Sequence, residues 1–252
     1  MKPFNQIYKH KGSDTAIFLG CGTSINKITD EQWEVISKFD VWTSNNFIYH
    51  DFIPKFYHVE LKLNRNFEIW KNWRQNIKGE KYDDIIFIIE HRPKRKRKFV
   101  VEAVNPESKY IYKYTAKRIN VKARGITPNY KISSKYITNN CCASFTMILE
   151  MLYKFKYKRV ILFGVDLKDS RYFWTEETER IGKNVWMYRG ERVHCATNKH
   201  RKQNQPHNTY RLVPYIIAFD KKYMRKIGCQ LFTGHKETLI HPGLKYIDIL
   251  KM

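Results

Sequence analysis

Short apolar runs alternate along the chain with longer amphipathic ones. Residues 16–19 form an apolar run that stops at Gly20-Cys21-Gly22-Thr23-Ser24, which predicts a buried strand ending in a tight turn before a helix. In residues 28–39, Thr29 and Gln32 stand at capping-box spacing, and Trp33 and Ile36 share one helical face. Runs rich in aromatic and β-branched residues at 40–47 and 55–61 read as strands. Residues 66–77 read as a helix, and 83–90 as a strand buried on both faces. In residues 141–155, Phe145, Ile148, Leu149, Leu152 and Phe155 recur at 3.6-residue spacing and predict an amphipathic helix. Strands are expected at 158–166 and 229–234. A last helix carries Leu212, Ile216, Phe219 and Tyr223, with Pro214 in its first turn.

Strand and helix in regular alternation predict an α/β fold. The expectation is one Rossmann-like domain over 1–252, with a mostly parallel sheet and helices on both faces. The pattern fails in two places. Residues 92–134 read as a basic insertion with one or two edge strands, opening on six basic residues in the seven of 92–98. Residues 168–208, polar and aromatic without a period, read as a lid over a site.

Charge dominates the composition. Forty-seven Lys and Arg against 24 acids give a net charge of +23, which favours a polyanionic partner: nucleic acid, or anionic glycans at a membrane face. Lys94, Arg95, Lys96, Arg97, His200, Arg201 and Lys202 are the candidates for that contact. No apolar run reaches the roughly 18–20 residues of a membrane span. The first fourteen residues lack an apolar signal core, so a cytoplasmic location is expected, with a peripheral position at the inner membrane face as the alternative. Five cysteines without CxxC spacing read as reduced thiols.

Candidate chemistry gathers where strands end. A glycine turn before a helix start would offer the backbone N–H groups of residues 22–25 to a phosphate, with hydroxyls from Thr23 and Ser24. Asn45, Asn46, Asn139, Asn140 and Ser144 supply uncharged donors and acceptors that suit a sugar or a nucleobase. Any one of them would equally serve as a turn former or helix cap. Asp166 ends a strand. A structural cap is its ordinary role, with catalysis or a metal as alternatives. His194, Cys195, His200 and His207 lie in the lid without zinc spacing, and a single histidine near neutral pKa suits a general base.

In chain order these pieces resemble the bacterial sialyltransferases of glycosyltransferase family 42 and their looser relatives. The resemblance rests on Gly20-Cys21-Gly22-Thr23-Ser24, on "WTSNNF" with Asn45 and Phe47, and on "NNCCASF" with Ser144. It continues through Gly164-Val165-Asp166, Tyr172 and the lid histidine His207. It implies a Rossmann-like domain with a lid and a metal-independent, inverting transfer from a CMP-linked sugar, with a UDP-linked donor as the alternative. Ser24, Asn45, Ser144 and Tyr172 would hold the nucleotide, and His207 would deprotonate the acceptor. No separate cofactor is implied. Cys21 stands where the family has Asn, His58 takes the place of a nucleotide-contacting Asn, and Ala143-Ser144-Phe145 replaces Thr-Ser-Gly.

The expected function is transfer of a sugar from a nucleotide-activated donor to a hydroxyl on a polyanionic acceptor. A hydroxymethylated base in DNA, as in phage hypermodification, is preferred narrowly over lipopolysaccharide or a capsule chain. For a flipped-out base, Tyr172 or Trp174 would be the stacking partner. Two other classes compete. One is a non-catalytic nucleic-acid-binding module using the Tyr/Lys/Arg interleaving at 109–124. The other is a pterin-type pyrophosphokinase, which would need magnesium-binding carboxylates at strand ends, where Asp166 is the main one legible.

Overall fold

The computed structural model describes residues 2–60, 65–90, 110–118, 128, 131–139, 144–168, 171–182, 185–193 and 206–252. Its strands in chain order begin with β1 (Lys2–Pro3), β2 (Thr15–Leu19), β3 (Asp40–Ser44), β4 (Phe56–Val59), β5 (Ile86–Glu90), β6 (Ile111–Tyr114) and β7 (Ala116–Arg118). There follow β8 (Ile137–Asn139), β9 (Arg159–Phe163), β10 (Glu179–Gly182), β11 (Val185–Tyr188), β12 (Glu191–Val193), β13 (Gln230–Thr233) and β14 (Lys245–Tyr246). The α-helices are α1 (Asp30–Ser37), α2 (Arg65–Asn72), α3 (Ser144–Lys154) and α4 (Pro206–Phe219).

Nine strands form one sheet in the order β1-β6-β5-β4-β3-β2-β9-β13-β14, and every ladder in it is parallel. The α/β expectation holds. Strand side chains alternate between faces, and β2 shows the result: Ala16 and Phe18 enter one core, Ile17 and Leu19 the other. The first core lies under α3 and α4, through Ile148, Leu152, Ile216 and Phe219. The second lies under α1 and α2, through Ile36 and Trp70. Helix α1 starts as its sequence predicts: Gln32 N–H donates to Thr29 Oγ1 at 3.3 Å, and Thr29 N–H to Gln32 Oε1 at 3.1 Å.

Three expectations are corrected. The basic insertion does not run unbroken over 92–134, because β6 is an interior strand beside β5 and Tyr112 and Tyr114 are core residues. Its alternating "YIYKY" is strand pattern that the surrounding lysines disguise. The lid is not aperiodic throughout 168–208. Strands β10, β11 and β12 make a three-stranded antiparallel sheet whose Trp186, Tyr188 and Val193 join the second core. The tight β11–β12 hairpin uses Arg189 and Gly190 at φ 50° and 78°, a pair of left-handed residues suited to a primed turn. The last helix starts earlier than expected, at Pro206, so Pro214 lies in its interior and His207 in its first turn instead of ahead of it.

At the amino end of the sheet, Asp40 is 2% exposed and answers four donors. Gly12 N–H lies 2.9 Å away, Ser13 N–H 3.3 Å, Lys55 Nζ 2.7 Å and Tyr157 O–H 3.0 Å. Asp40→Ala should lower unfolding stability by about 3 kcal/mol, because a buried network loses its common acceptor. A urea unfolding curve within about 0.5 kcal/mol of the parent would contradict this role.

Candidate functional site at the carboxyl ends of the sheet

The chain builds the sheet outward from β2 in one direction through β3, β4, β5 and β6, then returns to β2's other side with β9 and β13. Strand order therefore reverses between β2 and β9, and the crevice outside their carboxyl ends is where open α/β sheets bind ligands. The glycine turn and the Gly164-Val165-Asp166 segment meet there.

Their contact is close. Gly20 N–H donates to Phe163 O at 2.8 Å and Gly22 N–H to Gly164 O at 2.9 Å. A Cβ on Gly20 would stand 2.3 Å from Gly164 O, and one on Gly22 2.4 Å from Asp166 Oδ2. Glycine is needed here so that two loops can touch. Ser24 N–H donates to Asp166 Oδ2 at 2.8 Å, the Ser24 hydroxyl bonds Asp166 Oδ1, and Thr23 Oγ1 lies 3.4 Å from Oδ2.

These bonds correct the phosphate-loop expectation for residues 22–25. A carboxylate of the protein already occupies the position where the turn would receive an anion. Residues Thr23–Lys27 form a 3-10 turn, and the α-helix begins only at Asp30. The sequence pattern marked a turn correctly, but its partner lies far along the chain and no local signal reveals it. Desolvation pushes the Cys21 thiol up to about 12, which disfavours its thiolate.

A second group forms after β3. Asn45 adopts φ 47°, a left-handed conformation that Asn tolerates better than most residues. Its carbonyl accepts Trp70 Nε1–H at 2.9 Å and Tyr57 O–H at 2.5 Å. Its side chain is oriented at both ends: Oδ1 accepts Glu60 N–H at 2.8 Å and Nδ2 donates to Ser144 Oγ at 3.0 Å. The Ser144 hydroxyl in turn donates to Glu60 Oε2 at 2.5 Å. Asn45 and Ser144 thus come together as the sequence pattern proposed, with Asn46 half-buried beside them in the same turn. Glu60 escaped sequence reading, although it follows the last residue of β4. Glu90 ends β5 likewise, so carboxylates stand at more strand ends than the sequence suggested.

Tyr172 reaches the glycine turn. It makes a β-bridge with Gly22, and the next residue's N–H donates to Cys21 O at 3.0 Å. Its ring lies flat on Trp174, with centroids 4.5 Å apart and planes at 8°. Trp174 is fully buried and cannot stack on a ligand, which leaves Tyr172, itself half-buried and packed against the second core, as the accessible member of the pair. His58 is corrected too. It is fully buried within β4, its Nε2 lies 2.7 Å from Tyr114 Oη, and burial pushes its pKa down to about 3. It serves the core, as a neutral ring, and does not replace a nucleotide ligand.

His235, which sequence reading did not single out, follows β13 at the same end. Its ring sits edge-on to Phe163 at 5.3 Å, and burial lowers its pKa while Asp166 opposes that shift. The side chain of His207 lies outside the described residues. So do Asn140, Cys141, Cys142, Lys94, Arg95, Lys96, Arg97, His194, Cys195, His200, Arg201 and Lys202. Among the described residues no group of three His, Cys, Asp or Glu could hold a metal ion, and no helix is long and apolar enough to cross a membrane. No family model matches the chain, and neither a curated protein nor a solved structure does.

Proposed function

We propose that the protein is a glycosyltransferase that moves a sugar from a nucleotide-activated donor to a hydroxyl on a polyanionic acceptor. The observation that supports this reading best is the Asn45–Ser144–Glu60 ring after β3 and β4, at the same end of the sheet as the Ser24–Asp166 contact and Tyr172. Oriented uncharged donors, acceptor-only carboxylates and one half-buried aromatic ring suit a nucleoside and a sugar, which are rich in hydroxyl and amide groups.

In this reading the acceptor hydroxyl attacks the anomeric carbon and gives its proton to His207. The bond from that carbon to the donor phosphate breaks, and the phosphate leaves with the electron pair. The glycine turn faces a carboxylate, so the leaving phosphate falls to the cations His200, Arg201 and Lys202. The acceptor preferred from composition is DNA carrying a hydroxymethylated base, on the strength of the +23 charge.

Incubating the protein with CMP-, UDP- and GDP-sugars and measuring donor hydrolysis tests the reading, and hydrolysis of one nucleotide class is expected. Glu60 and Glu90 favour a second reading, a magnesium-dependent pyrophosphoryl transfer of the pterin type. Transfer from ATP that EDTA abolishes, with every nucleotide sugar left intact, would establish it instead.

A further inference from the structure

We propose that the amino end of the sheet, opposite the candidate site, is a docking surface for the phosphate backbone of nucleic acid. The surface rests on the polyanionic-acceptor half of the function proposed above and not on sugar transfer. Because all nine strands are parallel, the loops at their amino ends share one side of the molecule, away from Asp166 and Ser144.

Cations from separate elements converge on that side. Lys2, Lys9 and Lys55 stand close enough to His10 for each to disfavour its protonation. Lys11 Nζ donates to the main-chain Lys156 O at 3.1 Å, which sets the Lys11 ammonium against the loop before β9, and Lys158 Nζ lies 2.7 Å from Asp14. Lys38 and Lys55 line a hollow of about 360 Å³ with Gly12, Phe52 and Ile53.

The carboxylates set among these cations are already engaged. Asp14 lies between Lys11 and Lys158, and Asp40 is held by Lys55 and three further donors. Lys9 is exposed, and the side chains of Lys38 and Lys158 are 63% and 73% exposed. Lys38 pairs with Glu34 at 3.7 Å and Lys158 with Asp14 at 2.7 Å, exposed surface pairs weak enough for a polyanion to displace.

Nucleic acid fits this face better than a lipid surface. Peripheral membrane binding uses apolar side chains that enter the interface. Here the large exposed apolar residues are Tyr8 and Ile53, each 37% exposed. A hollow rimmed by lysines on different loops suits phosphates spaced along a backbone, whose contacts are electrostatic and indifferent to sequence. Docking there holds a long acceptor near the reacting end and raises its local concentration without touching the chemistry.

The test compares two triple variants. Lys9→Ser/Lys38→Ser/Lys158→Ser removes charge from the amino end. Lys168→Ser/Lys236→Ser/Lys245→Ser removes the same charge elsewhere. Binding to a fluorescent 30-base-pair duplex is measured across a salt series, together with donor hydrolysis and co-sedimentation with anionic phosphatidylserine vesicles. The amino-end triple should bind duplex about tenfold or more weakly near physiological salt, with a salt slope smaller by roughly two to three. The control triple should bind like the parent, and neither should change donor hydrolysis. Equal losses in both triples would overturn the proposal, as would unchanged binding in the amino-end triple. Parent protein that binds vesicles and not duplex would also overturn it. Absence of donor hydrolysis in the parent would reject sugar transfer while leaving the docking result standing.

Discussion

Asp166→Ala is expected to lower global stability by about 2–3 kcal/mol and to disorganise the site. The substitution removes the acceptor for Ser24 N–H, the Ser24 hydroxyl and the Thr23 hydroxyl together, and half-buried donors left unmatched cost about 1–3 kcal/mol each at most. Asp166→Asn keeps one oxygen for Ser24 N–H and should recover part of the loss. Ser24→Ala combined with Asp166→Ala should cost less than the sum of the two, because both remove the same contact. Additive losses in urea unfolding would show that the Ser24–Asp166 bond is not what joins the loops. Tighter binding of inorganic phosphate by Asp166→Asn than by the parent would restore the anion-binding role that the structure denies to the turn.

The second large effect is expected at Gly20. A valine there would drive its Cβ to 2.3 Å from Gly164 O, a backbone atom that cannot rotate away. Strands β2 and β9 would have to part at their carboxyl ends, losing the bonds from Gly20 N–H to Phe163 O and from Gly22 N–H to Gly164 O. Overpacking of this kind costs about 1–3 kcal/mol, and the two lost backbone bonds bring Gly20→Val to roughly 3–4 kcal/mol. Gly22→Ala meets Asp166 Oδ2 at 2.4 Å, which can turn away from Ser24, and Gly164 O at 2.8 Å, a milder backbone clash than at Gly20, so it should cost less. Thermal or urea unfolding that ranks Gly22→Ala as the more damaging change would contradict this.

What the sequence made legible follows from the range of each signal. Buried strands β2, β5 and β9 and the α1 capping box are written in adjacent residues, and the structure has them where the pattern put them. Asn45 and Ser144 were also legible as strand-end amide and helix-start hydroxyl. Hidden were features set by partners distant in the chain. Asp166 fills the glycine turn only because β9 pairs with β2. His58 looks like a polar strand-end residue until Tyr114 is found beside it on β6's side of the sheet. Glu60 has no motif of its own and becomes a site residue only through Ser144 and Asn45. The β10–β12 sheet was missed because its strands are too short for alternation to show, and its Arg-Gly turn is a weak signal beside Asn-Gly.

Calorimetric titration of the hydrolysed nucleotide sugar, or of CMP where none is hydrolysed, into the parent and Ser144→Ala shows whether the Asn45–Ser144–Glu60 ring binds the donor. Ser144 joins Asn45 to Glu60 but caps no core element beyond the first residue of α3, so its loss should spare the fold. A hydrogen-bonded network around a carboxylate contributes about 1.5–3 kcal/mol per bond, equivalent to roughly 10- to 100-fold in affinity. Saturable binding to the parent and a loss of that size in Ser144→Ala are expected, with the far-ultraviolet circular dichroism of the folded protein unchanged. Equal affinity in the two proteins, or no binding to the parent, would contradict donor binding by the ring.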